Sequence, residues 1–335
     1  MKILTVLVPA YNVEAYIDRC LSSLCLADPK DMDRLEVLIV DDGGGDGTRD
    51  LALKYCEKYP DSFFFCHKEN GGHGSVINYG IERARGRYFK VVDGDDWLLS
   101  QALPGLLDLL EREPADIVAS PYRCIEDRTD RLLSSKAPTE REENYGHRIS
   151  FDSGRVDLVI KMHAMTIKTC LLQGMKQRMD EHCFYVDAEY IAYPIPLAED
   201  VYYDRSEVYC YRLGRGGQSM NLKSMQRNHR MHRRVFDSLA DFYEGLPEMS
   251  KARRSYIARC CAQVLENEFQ IYISMGNRFA SISRLRSFDR RVLREHPAIY
   301  RATDKKSIRL LRATNYLALP LGYLALRIKK PAAFS

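Results

Sequence analysis

The sequence lacks the cysteine patterns that mark disulfide frameworks and zinc sites. Its ten cysteines include no C-x-x-C pair and no spacing typical of zinc ligands. The first apolar run, in MKILTVLVPAYN, is short and is interrupted by Pro9, which is not typical of a secretory signal. We therefore expect reduced, semi-buried thiols in a cytoplasmic protein.

The sequence also has little excess charge and no internal repeat. The formal net charge is only +4, although basic residues crowd the C-terminal third of the 335 residues. Such a charge does not favour a nucleic-acid surface. An apolar content of 45% and a charged content of 29% argue against wholesale disorder and against an integral membrane bundle.

What is present over residues 1–120 is an alternation of strand-like and helix-like segments. The continuous apolar segments are residues 3–9, 35–40, 62–66 and 88–92. The helix-like segments follow Asn12, which we expect to be an N-cap, and extend over residues 49–59 and 75–85, where Gly86 is the expected C-terminal stop. Apolar strands separated by helices predict an α/β fold with a parallel, Rossmann-like sheet covered on both faces.

The rest of the chain has two different patterns. From residue 115 to about 217, strand-like and loop-like segments alternate, and residues 124–146 are predicted as a polar loop. We expect this α+β half to complete the ligand crevice. From residue 221 the sequence is helical and rich in arginine. We therefore predict a domain over residues 1–220, with halves meeting near residue 120, and a basic helical region over residues 221–335.

Four predicted loops follow the carboxyl ends of the parallel strands, where ligands bind in such sheets. They are residues 9–12, 41–48, 68–75 and 93–97. Two of these loops are acidic: Asp41 and Asp42 lie in one, and Asp93, Asp95 and Asp96 lie in another. Carboxylates this close repel one another, so they indicate a bound cation, Mg²⁺ or Mn²⁺. The alternative is that these aspartates only form turns and helix caps.

Two phosphate-binding motifs are incomplete. GGGDGT at residues 43–48 partly matches the dinucleotide fingerprint, but Thr48 stands where the third glycine belongs. No G-K-[ST] follows a glycine run, which excludes a P-loop. We therefore expect a phosphate-bearing ligand to bind together with its metal ion.

Three segments together resemble a known family. VLVPAYNVEAYIDRCLSSL, VLIVDDGGGDGT and ENGGHGSVINYGIERARGRYFKVVDGDDW resemble, in order and spacing, the N-terminal half of family 2 glycosyltransferases with the GT-A fold. The resemblance implies a nucleotide-sugar donor such as a UDP-sugar, a D-x-D metal site and inversion at the anomeric carbon. Its setting would be bacterial surface-polysaccharide synthesis. A sugar nucleotidyltransferase and a non-catalytic nucleotide-binding subunit are the alternative functions.

The resemblance also assigns residues to the nucleotide. Pro9, Ala10 and Tyr11 match the segment that lies against the nucleobase. Asp41 matches the carboxylate near the base and ribose, and Asp42 follows it in the same pocket. These assignments place the nucleoside at the ends of the first two strands.

The acidic loop at residues 93–97 carries the implied metal site. Asp93 and Asp95, on either side of Gly94, match the metal-binding acids, and Asp96 lies beside the sugar. Many relatives have an arginine before the asparagine of the following helix, whereas this chain has SVIN, so another residue must contact the diphosphate. The candidates are Lys68, His73, Arg212, Arg215 and Gln218. The last three lie in RLGRGGQS, which is either a mobile loop over the donor or a solvated turn.

The catalytic base implied by the resemblance lies late in the domain, and two segments offer one. Asp187 in YVDAEY stands about two dozen residues before Tyr211, as the family pattern requires, whereas the acids of LAEDVYY are too close. We therefore predict Asp187 as the base and Glu189 as an accessory on the acceptor side. We interpret residues 198–200 as a surface turn.

Four further side chains have two interpretations each or a weak signal. Trp97 either packs beside the metal loop or stacks on the acceptor sugar. His163 either lines the acceptor side or is a structural histidine. His229 and His232 have a metal-compatible spacing, but the surrounding arginines and the lack of nearby acids favour a solvated basic face.

One uncharged segment, residues 313–326, is flanked by basic residues. As a helix it would reach about 21 Å, short of the roughly 30 Å hydrocarbon core of a bilayer. The surrounding region, residues 305–330, therefore either lies in the interface of an anionic membrane or docks on the protein's own body. A membrane contact would suit a lipid-linked acceptor, and the other candidate acceptor is a glycan. The sequence does not specify whether the protein forms a homo-oligomer.

Overall fold

The computed structural model describes residues 2–215, 222–275 and 279–329. Contacts between its segments divide the chain into two compact units. The first comprises the described residues up to His182 together with Tyr193–Arg215, and the second comprises Cys183–Ala192 and the described residues from 222 onward. The sequence pattern placed a boundary near residue 220 and did not single out the short segment Cys183–Ala192.

The first unit is built from strands and short helices. Its strands are β1 (Leu4–Ala10), β2 (Leu35–Asp41), β3 (Phe63–His67), β4 (Tyr88–Val91), β5 (Trp97–Leu98), β6 (Ile117–Ala119), β7 (Tyr122–Glu126), β8 (Leu132–Lys136), β9 (Arg148–Ser150), β10 (Met165–Lys168), β11 (Asp200–Tyr203) and β12 (Tyr209–Leu213). Its α-helices are α1 (Glu14–Ser23), α2 (Pro29–Arg34), α3 (Thr48–Lys58), α4 (Gly72–Arg83), α5 (Leu103–Arg112) and α6 (Thr169–Gln173). Short 3₁₀ turns lie at Glu142–Asn144, Phe151–Ser153 and Met162–Ala164.

The large sheet has the strand order β3-β2-β1-β4-β10-β6-β11-β9. Strands β3, β2, β1 and β4 are parallel, with Leu4 opposite Leu35 on one side and Tyr88 on the other. This part of the sheet confirms the predicted α/β fold. Strand β10 pairs antiparallel with both β4 and β6, so the sheet as a whole is mixed.

The smaller sheet has the order β5-β12-β7-β8 and contains a hairpin that the sequence did not reveal. Residues 124–146 were predicted as a polar loop, but they contain the end of β7 and all of β8. These two strands pair antiparallel, with a register shift between Cys124 and Ile125. Strand β8 reads LLSSK and is mostly exposed, so it has no buried alternation that could have marked it as a strand.

The parallel strands are apolar because both faces are buried. Val6, Val37 and Ile39 have no exposed surface, and the helix residues Ile17 and Leu21 that pack on them are also fully buried. Burying one such side chain contributes about 1.5–3 kcal/mol. The ten cysteines are all free thiols, in agreement with the expectation from the sequence.

The roles predicted for Asn12 and Gly86 at helix ends were both wrong. Asn12 is not an N-cap, because α1 begins at Glu14; Asn12 instead has φ 51° and its side chain accepts a hydrogen bond from the Gly45 N–H at 2.9 Å. Gly86 does not close α4, which ends at Arg83. A Cβ at Gly86 would lie 2.3 Å from the Thr5 backbone nitrogen, so this glycine permits close approach to β1.

The second unit is helical. Its described helices are α7 (Asp187–Ala192), α8 (Leu222–Arg227), α9 (His229–Glu244), α10 (Lys251–Ser274), α11 (Phe279–Glu295), α12 (Pro297–Ala302), α13 (Lys306–Ala313) and α14 (Leu319–Lys329). Helix α10 is central, since α7, α8, α9, α11, α12 and α14 all contact it. Phe236 and Leu239 of α9 and Ile257 and Leu265 of α10 are fully buried.

The uncharged C-terminal segment has one buried and one exposed face. Tyr316, Ala318 and Leu319 are buried against the second unit. Four apolar residues point outward, and we call them the apolar stripe: Leu317, Leu321, Leu324 and Ile328, with 76%, 69%, 55% and 71% of their surface exposed. Among the residues that the structure describes, no helix is both long and apolar enough to cross a membrane.

Candidate functional site

The four predicted loops lie together at the carboxyl ends of the parallel strands. The Asp42 N–H donates to the Ala10 carbonyl at 2.8 Å, which joins the first two loops. The Gly94 N–H donates to the Pro9 carbonyl at 3.1 Å and brings the acidic loop against the end of β1. A Cβ at Gly94 would lie 2.8 Å from that carbonyl oxygen, so the glycine between the acids is sterically required. Tyr11 at the rim is 52% exposed, which leaves its ring available for stacking.

Asp42 is buried, and its charge is balanced by the loop that follows β3. Its carboxylate accepts hydrogen bonds from the N–H groups of Gly71 and Gly72 at 2.9 and 2.7 Å. The Lys68 ammonium donates to it at 2.7 Å. The second candidate carboxylate, Asp41, is also buried and lies 2.7 Å from the Nδ1 atom of His67. Both acids are therefore held in fixed positions.

The three carboxylates of the acidic loop have three different environments. Asp93 Oδ1 lies 3.0 Å from His73 Nε2. Burial acts to raise the pKa of Asp93, but the hydrogen bond with His73 and the charge of this histidine lower it below its usual value. Burial, and then the neighbouring charge of Asp93, raise the pKa of Asp95. Burial, and then the charges of Asp95 and Asp93, raise the pKa of Asp96 well above its usual range. A cation bound here would relieve this repulsion.

Basic residues from the end of β12 contact the same loop. The backbone N–H of Arg212 donates to Asp96 at 2.7 Å, and its Nε donates to the Asp95 carbonyl at 2.8 Å. The Arg215 Nε atom lies 2.8 Å from the Asp95 carboxylate. The remaining diphosphate candidate, Gln218, lies outside the described residues. Lys68 and His73 are already engaged with aspartates, so a diphosphate would have to compete for them.

A histidine from the second half of the first unit completes a group of three potential metal ligands. One ligand atom each from Asp93, Asp96 and His163 lies within 4.8 Å of the others. The His163 ring is packed among tyrosines, with ring centroids 5.0 Å from Tyr209 and 4.2 Å from Tyr211. The structure thus brings His163, which we had considered on the acceptor side, next to the acids.

The Tyr209 side chain and a buried lysine lie beneath this group. The Tyr209 hydroxyl donates to Asp96 at 2.6 Å. Lys90 of β4 is 1% exposed, and its ammonium donates to the carbonyls of His163 and Met165 at 2.9 and 3.2 Å. Burial lowers the pKa of Lys90 to about 7. We did not identify Lys90 from the sequence, although a lysine inside the apolar strand YFKVV was a usable signal.

Trp97 packs beside the acidic loop. It is 7% exposed, and the guanidinium carbon of Arg19 lies 3.5 Å from its ring centroid. The guanidinium carbon of Arg212 lies 4.9 Å from the centroid of the same ring and 4.9 Å from that of the Tyr16 ring. Such cation–π contacts each contribute about 0.5–2 kcal/mol and stabilise the indole in this position.

The predicted base and its accessory belong to the second unit. Asp187 is the first residue of α7 and is exposed, whereas Glu189 is fully buried. In the first unit, the interpretation of residues 198–200 as a surface turn was wrong for Asp200. This residue is 8% exposed, begins β11, and accepts hydrogen bonds from the Arg148 side chain and the Asp116 N–H. It has a structural partner of opposite charge.

The interpretation of His229 and His232 as a solvated basic face was also wrong. His232 is 1% exposed and lies 2.6 Å from one oxygen of Glu268, while His229 lies 3.0 Å from the other. Glu268 lies 36 residues beyond His232 in the chain, so the sequence neighbourhood gave no sign of this acid.

Comparisons with known proteins give a family match and several curated relatives. The sequence matches the family described as Glycosyl transferase family 2 over residues 5–182. It is 29% identical over 252 residues to EpsH of Bacillus subtilis (strain 168), named as a glycosyltransferase, and this alignment covers 72% of the chain and 67% of EpsH. Alignments with other curated relatives are shorter, and the chain then spans less than half of the relative's length.

Solved structures show the same fold. The crystal structure of S. aureus TarS 1–349 in complex with UDP-GlcNAc superposes with a TM-score of 0.64 at 19% identity, covering 97% of this chain and 92% of that one. A mannosyltransferase, PcManGT from Pyrobaculum calidifontis in complex with GDP-Man and Mn²⁺, superposes with a TM-score of 0.51 at 15% identity, covering 97% and 86% of the two chains.

Proposed function

The chain belongs to glycosyl transferase family 2, and on that premise we propose that it transfers a sugar from a nucleotide-sugar to a hydroxyl group with inversion at the anomeric carbon. A UDP-sugar is the proposed donor, and a glycan or a lipid-linked molecule is the proposed acceptor. The proposed setting is bacterial surface-polysaccharide synthesis in the cytoplasm, at the inner face of the membrane.

One observation carries this proposal: the loops after β1, β2, β3 and β4 meet, and three acids with a histidine partner lie among them. The similar structure of TarS contains UDP-GlcNAc, which supports the UDP-sugar. In this chain the exposed Tyr11 ring and the buried Asp41 and Asp42 form the proposed nucleoside side of the site. Arg212 and Arg215 form the proposed diphosphate side.

The residues of the acidic loop suit a divalent cation. Asp93, Asp96 and His163 offer two carboxylates and one imidazole within 4.8 Å, and the two carboxylates are ligands that suit Mn²⁺ and Mg²⁺. The sequence pattern favoured Asp93 and Asp95 instead, and Asp95 faces Arg215 in the structure. We propose Asp93 as the common ligand of both sets. When bound, the ion would stabilise negative charge on the leaving diphosphate.

The proposed base is Asp187. Its carboxylate would take the proton from the acceptor hydroxyl as that oxygen attacks the anomeric carbon, and such a base contributes about 10² to 10⁴ in rate. Inversion needs one carboxylate as base and no covalent sugar intermediate. Glu189 is fully buried two residues further on, so we propose that it supports α7 rather than contacting the acceptor directly.

Calorimetry with a panel of nucleotide-sugars, with and without Mn²⁺, tests the donor and the metal together. We expect one UDP-sugar to bind more tightly with Mn²⁺ present, and Asp187→Asn to keep this affinity while losing turnover by at least about 100-fold. A protein that binds the donor but whose turnover is unaffected by Asp187→Asn would refute the base. Turnover of a nucleoside triphosphate with release of pyrophosphate would identify a nucleotidyltransferase instead.

We also propose that the apolar stripe contacts an anionic membrane. The stripe is exposed while the opposite face of the segment packs on the second unit, so docking and membrane contact use different faces. Arg309 and Arg327, which flank the uncharged segment 313–326 in the sequence, are exposed and suit anionic headgroups. Co-sedimentation with vesicles of phosphatidylglycerol tests this, and we expect Leu321→Glu with Leu324→Glu to abolish binding. Equal binding by this variant would refute the contact.

A further inference from the structure

Helices α9 and α10 of the second unit enclose a buried carboxylate. Glu268 has no exposed surface, and its two oxygens lie 2.6 Å from His232 Nδ1 and 3.0 Å from His229 Nε2. Arg233 lies 3.4 Å from one of these oxygens. Burial acts to raise the pKa of Glu268, but the hydrogen bonds from His229 and His232 lower this pKa to about 2. Glu268 is therefore ionised at neutral pH, and its orientation is fixed from two sides.

This cluster touches the short segment that carries the proposed base. The His232 ring meets the Tyr185 ring edge-on, with a centroid distance of 5.0 Å and an interplanar angle of 66°. The Cys183 thiol donates to the carbonyl of Met231, the residue before His232, at 3.5 Å. Both contacts come from residues just ahead of α7, so the cluster lies against the entrance of that helix.

The backbone at Tyr185 has an unusual conformation that needs support. Its φ is +71°, in the left-handed region, which costs a residue with a side chain about 1–2 kcal/mol. The same backbone turns directly into α7: the Ala188 N–H donates to the Tyr185 carbonyl at 3.2 Å, and the Glu189 N–H donates to the Val186 carbonyl at 3.0 Å. The direction in which α7 starts thus depends on how the Tyr185 ring is held.

We propose that Glu268 and His232 are positioning residues for catalysis: Glu268 orients His232, His232 holds the Tyr185 ring, and the ring sets the backbone from which Asp187 projects. This inference rests on the proposed function, because it takes Asp187 as the base. A base displaced by about 1 Å loses about 100-fold in rate, so a contact two residues away from Asp187 can control turnover without touching the substrate.

A merely structural role is the rival explanation, since the same cluster ties α9 to α10. The chain offers a matched control in the same unit. Asp289 of α11 is 1% exposed and is paired with Arg312 at 2.8 Å, with a further hydrogen bond from Tyr316. Asp289→Asn therefore removes a second buried carboxylate from the helical unit at a place that none of these contacts links to Tyr185.

The test compares Glu268→Gln, His232→Phe and Tyr185→Ala with Asp289→Asn. For each variant we would measure thermal unfolding, donor affinity by calorimetry, and kcat and donor KM from release of nucleoside diphosphate. We expect kcat to fall by about 10- to 100-fold in the first three variants while donor KM and affinity change less than about twofold. Asp289→Asn is expected to lower the unfolding temperature and to keep kcat.

Tyr185→Ala covers the case in which Glu268→Gln does not fold, because it leaves the ion pairs in place. The inference is overturned if Tyr185→Ala and His232→Phe keep wild-type kcat, or if Asp289→Asn loses kcat to the same extent. Failure of the proposed function has a different signature. In that case Asp187→Asn itself keeps turnover, whereas an inactive Asp187→Asn beside an active His232→Phe refutes only the positioning role.

Discussion

The two compact units both contain buried carboxylates, and the pKa values of these carboxylates are shifted in opposite directions. In the first unit, Asp96 is buried and Asp95 is partly buried beside other acids, and burial together with those charges raises the pKa of each. In the second unit, Glu268 is enclosed by two histidines and an arginine, and its pKa is lowered to about 2 even though burial acts against this. A carboxylate thus binds its proton more tightly than usual in the acidic loop of the first unit and less tightly than usual at Glu268.

The difference shows which carboxylates are complete within the protein and which are suited to a ligand. Glu268 and Asp289 each have an arginine partner from the chain, Arg233 and Arg312 respectively, so neither gains from an added cation. Asp93, Asp95 and Asp96 stand within four positions, and the charges of neighbouring acids raise the pKa of Asp95 and Asp96, so a divalent ion would lower the free energy of the whole loop. A buried acid therefore indicates a ligand site only when its neighbours are also acids.

The largest expected effect comes from removing the acid that both proposed metal sets share. Asp93→Asn should abolish Mn²⁺ binding and reduce turnover by about 10³-fold or more, because Lewis-acid stabilisation of a leaving diphosphate is worth several kcal/mol. Titration calorimetry with Mn²⁺ and a rate measurement check the two results. Asp289→Asn is the control from the second unit and should change neither. Retained Mn²⁺ affinity in Asp93→Asn would break the contrast between the two kinds of acid.

A second test compares backbone packing in the two units with one glycine-to-alanine substitution in each. Gly86→Ala should destabilise the first unit by about 3 kcal/mol, because the new Cβ would lie 2.3 Å from a strand nitrogen that cannot move cheaply. Gly322→Ala in α14 places its Cβ at an ordinary 3.6 Å from Ile273, and we expect a gain of up to about 1 kcal/mol from helix propensity. Urea unfolding of both variants measures the difference, and equal midpoints would contradict it.

The smallest effect concerns the buried cation beneath the acidic loop. Burial lowers the pKa of Lys90 from 10.5 to about 7, so between these values the unfolded chain binds more protons than the folded one. Stability therefore rises with pH in this window, by up to about 1.4 kcal/mol per pH unit, and the cost of the buried charge is fully present only below pH 7.

Lys90→Met removes this dependence. Urea unfolding at several pH values between 7 and 9 should show the wild type gaining stability relative to Lys90→Met as the pH rises. The loss of two hydrogen bonds to the carbonyls of His163 and Met165 is a constant penalty and does not change this slope. Parallel stability curves for the two proteins would show that Lys90 is not desolvated in the folded state.

Much of the first unit could be predicted because its signals are local. The apolar segments of β1 to β4 and the helices between them follow from periodicity in consecutive residues, and their loops follow from the geometry of parallel sheets. The hairpin β7–β8 was missed because its outer strand is mostly exposed and has no alternation of buried and exposed residues. Gly86 was assigned to the wrong cause because a close approach to β1 and a helix stop both favour glycine.

The candidate site was predicted in part, and there is a physical reason why some of its residues were identified from the sequence and others were not. The acids of the loops after β2 and β4 were identified from their positions at strand ends. His163 was named without its place beside Asp93 and Asp96, and Lys90, Tyr209 and Glu268 were not assigned any role. These side chains act through partners that the chain order does not bring near.

By itself the sequence determined the alternation of β1 to β4 with helices, the family resemblance and the acidic loops, since each of these depends on residues that are neighbours in the chain. Only the tertiary structure decided which acid has which partner, and therefore the direction of each pKa shift. Asp42 meets Lys68 across 26 positions and Asp96 meets the Arg212 N–H across 116. The free energy of a buried charge depends on the groups that surround it in the folded protein. Contacts between residues so far apart in the chain form only when the tertiary structure forms.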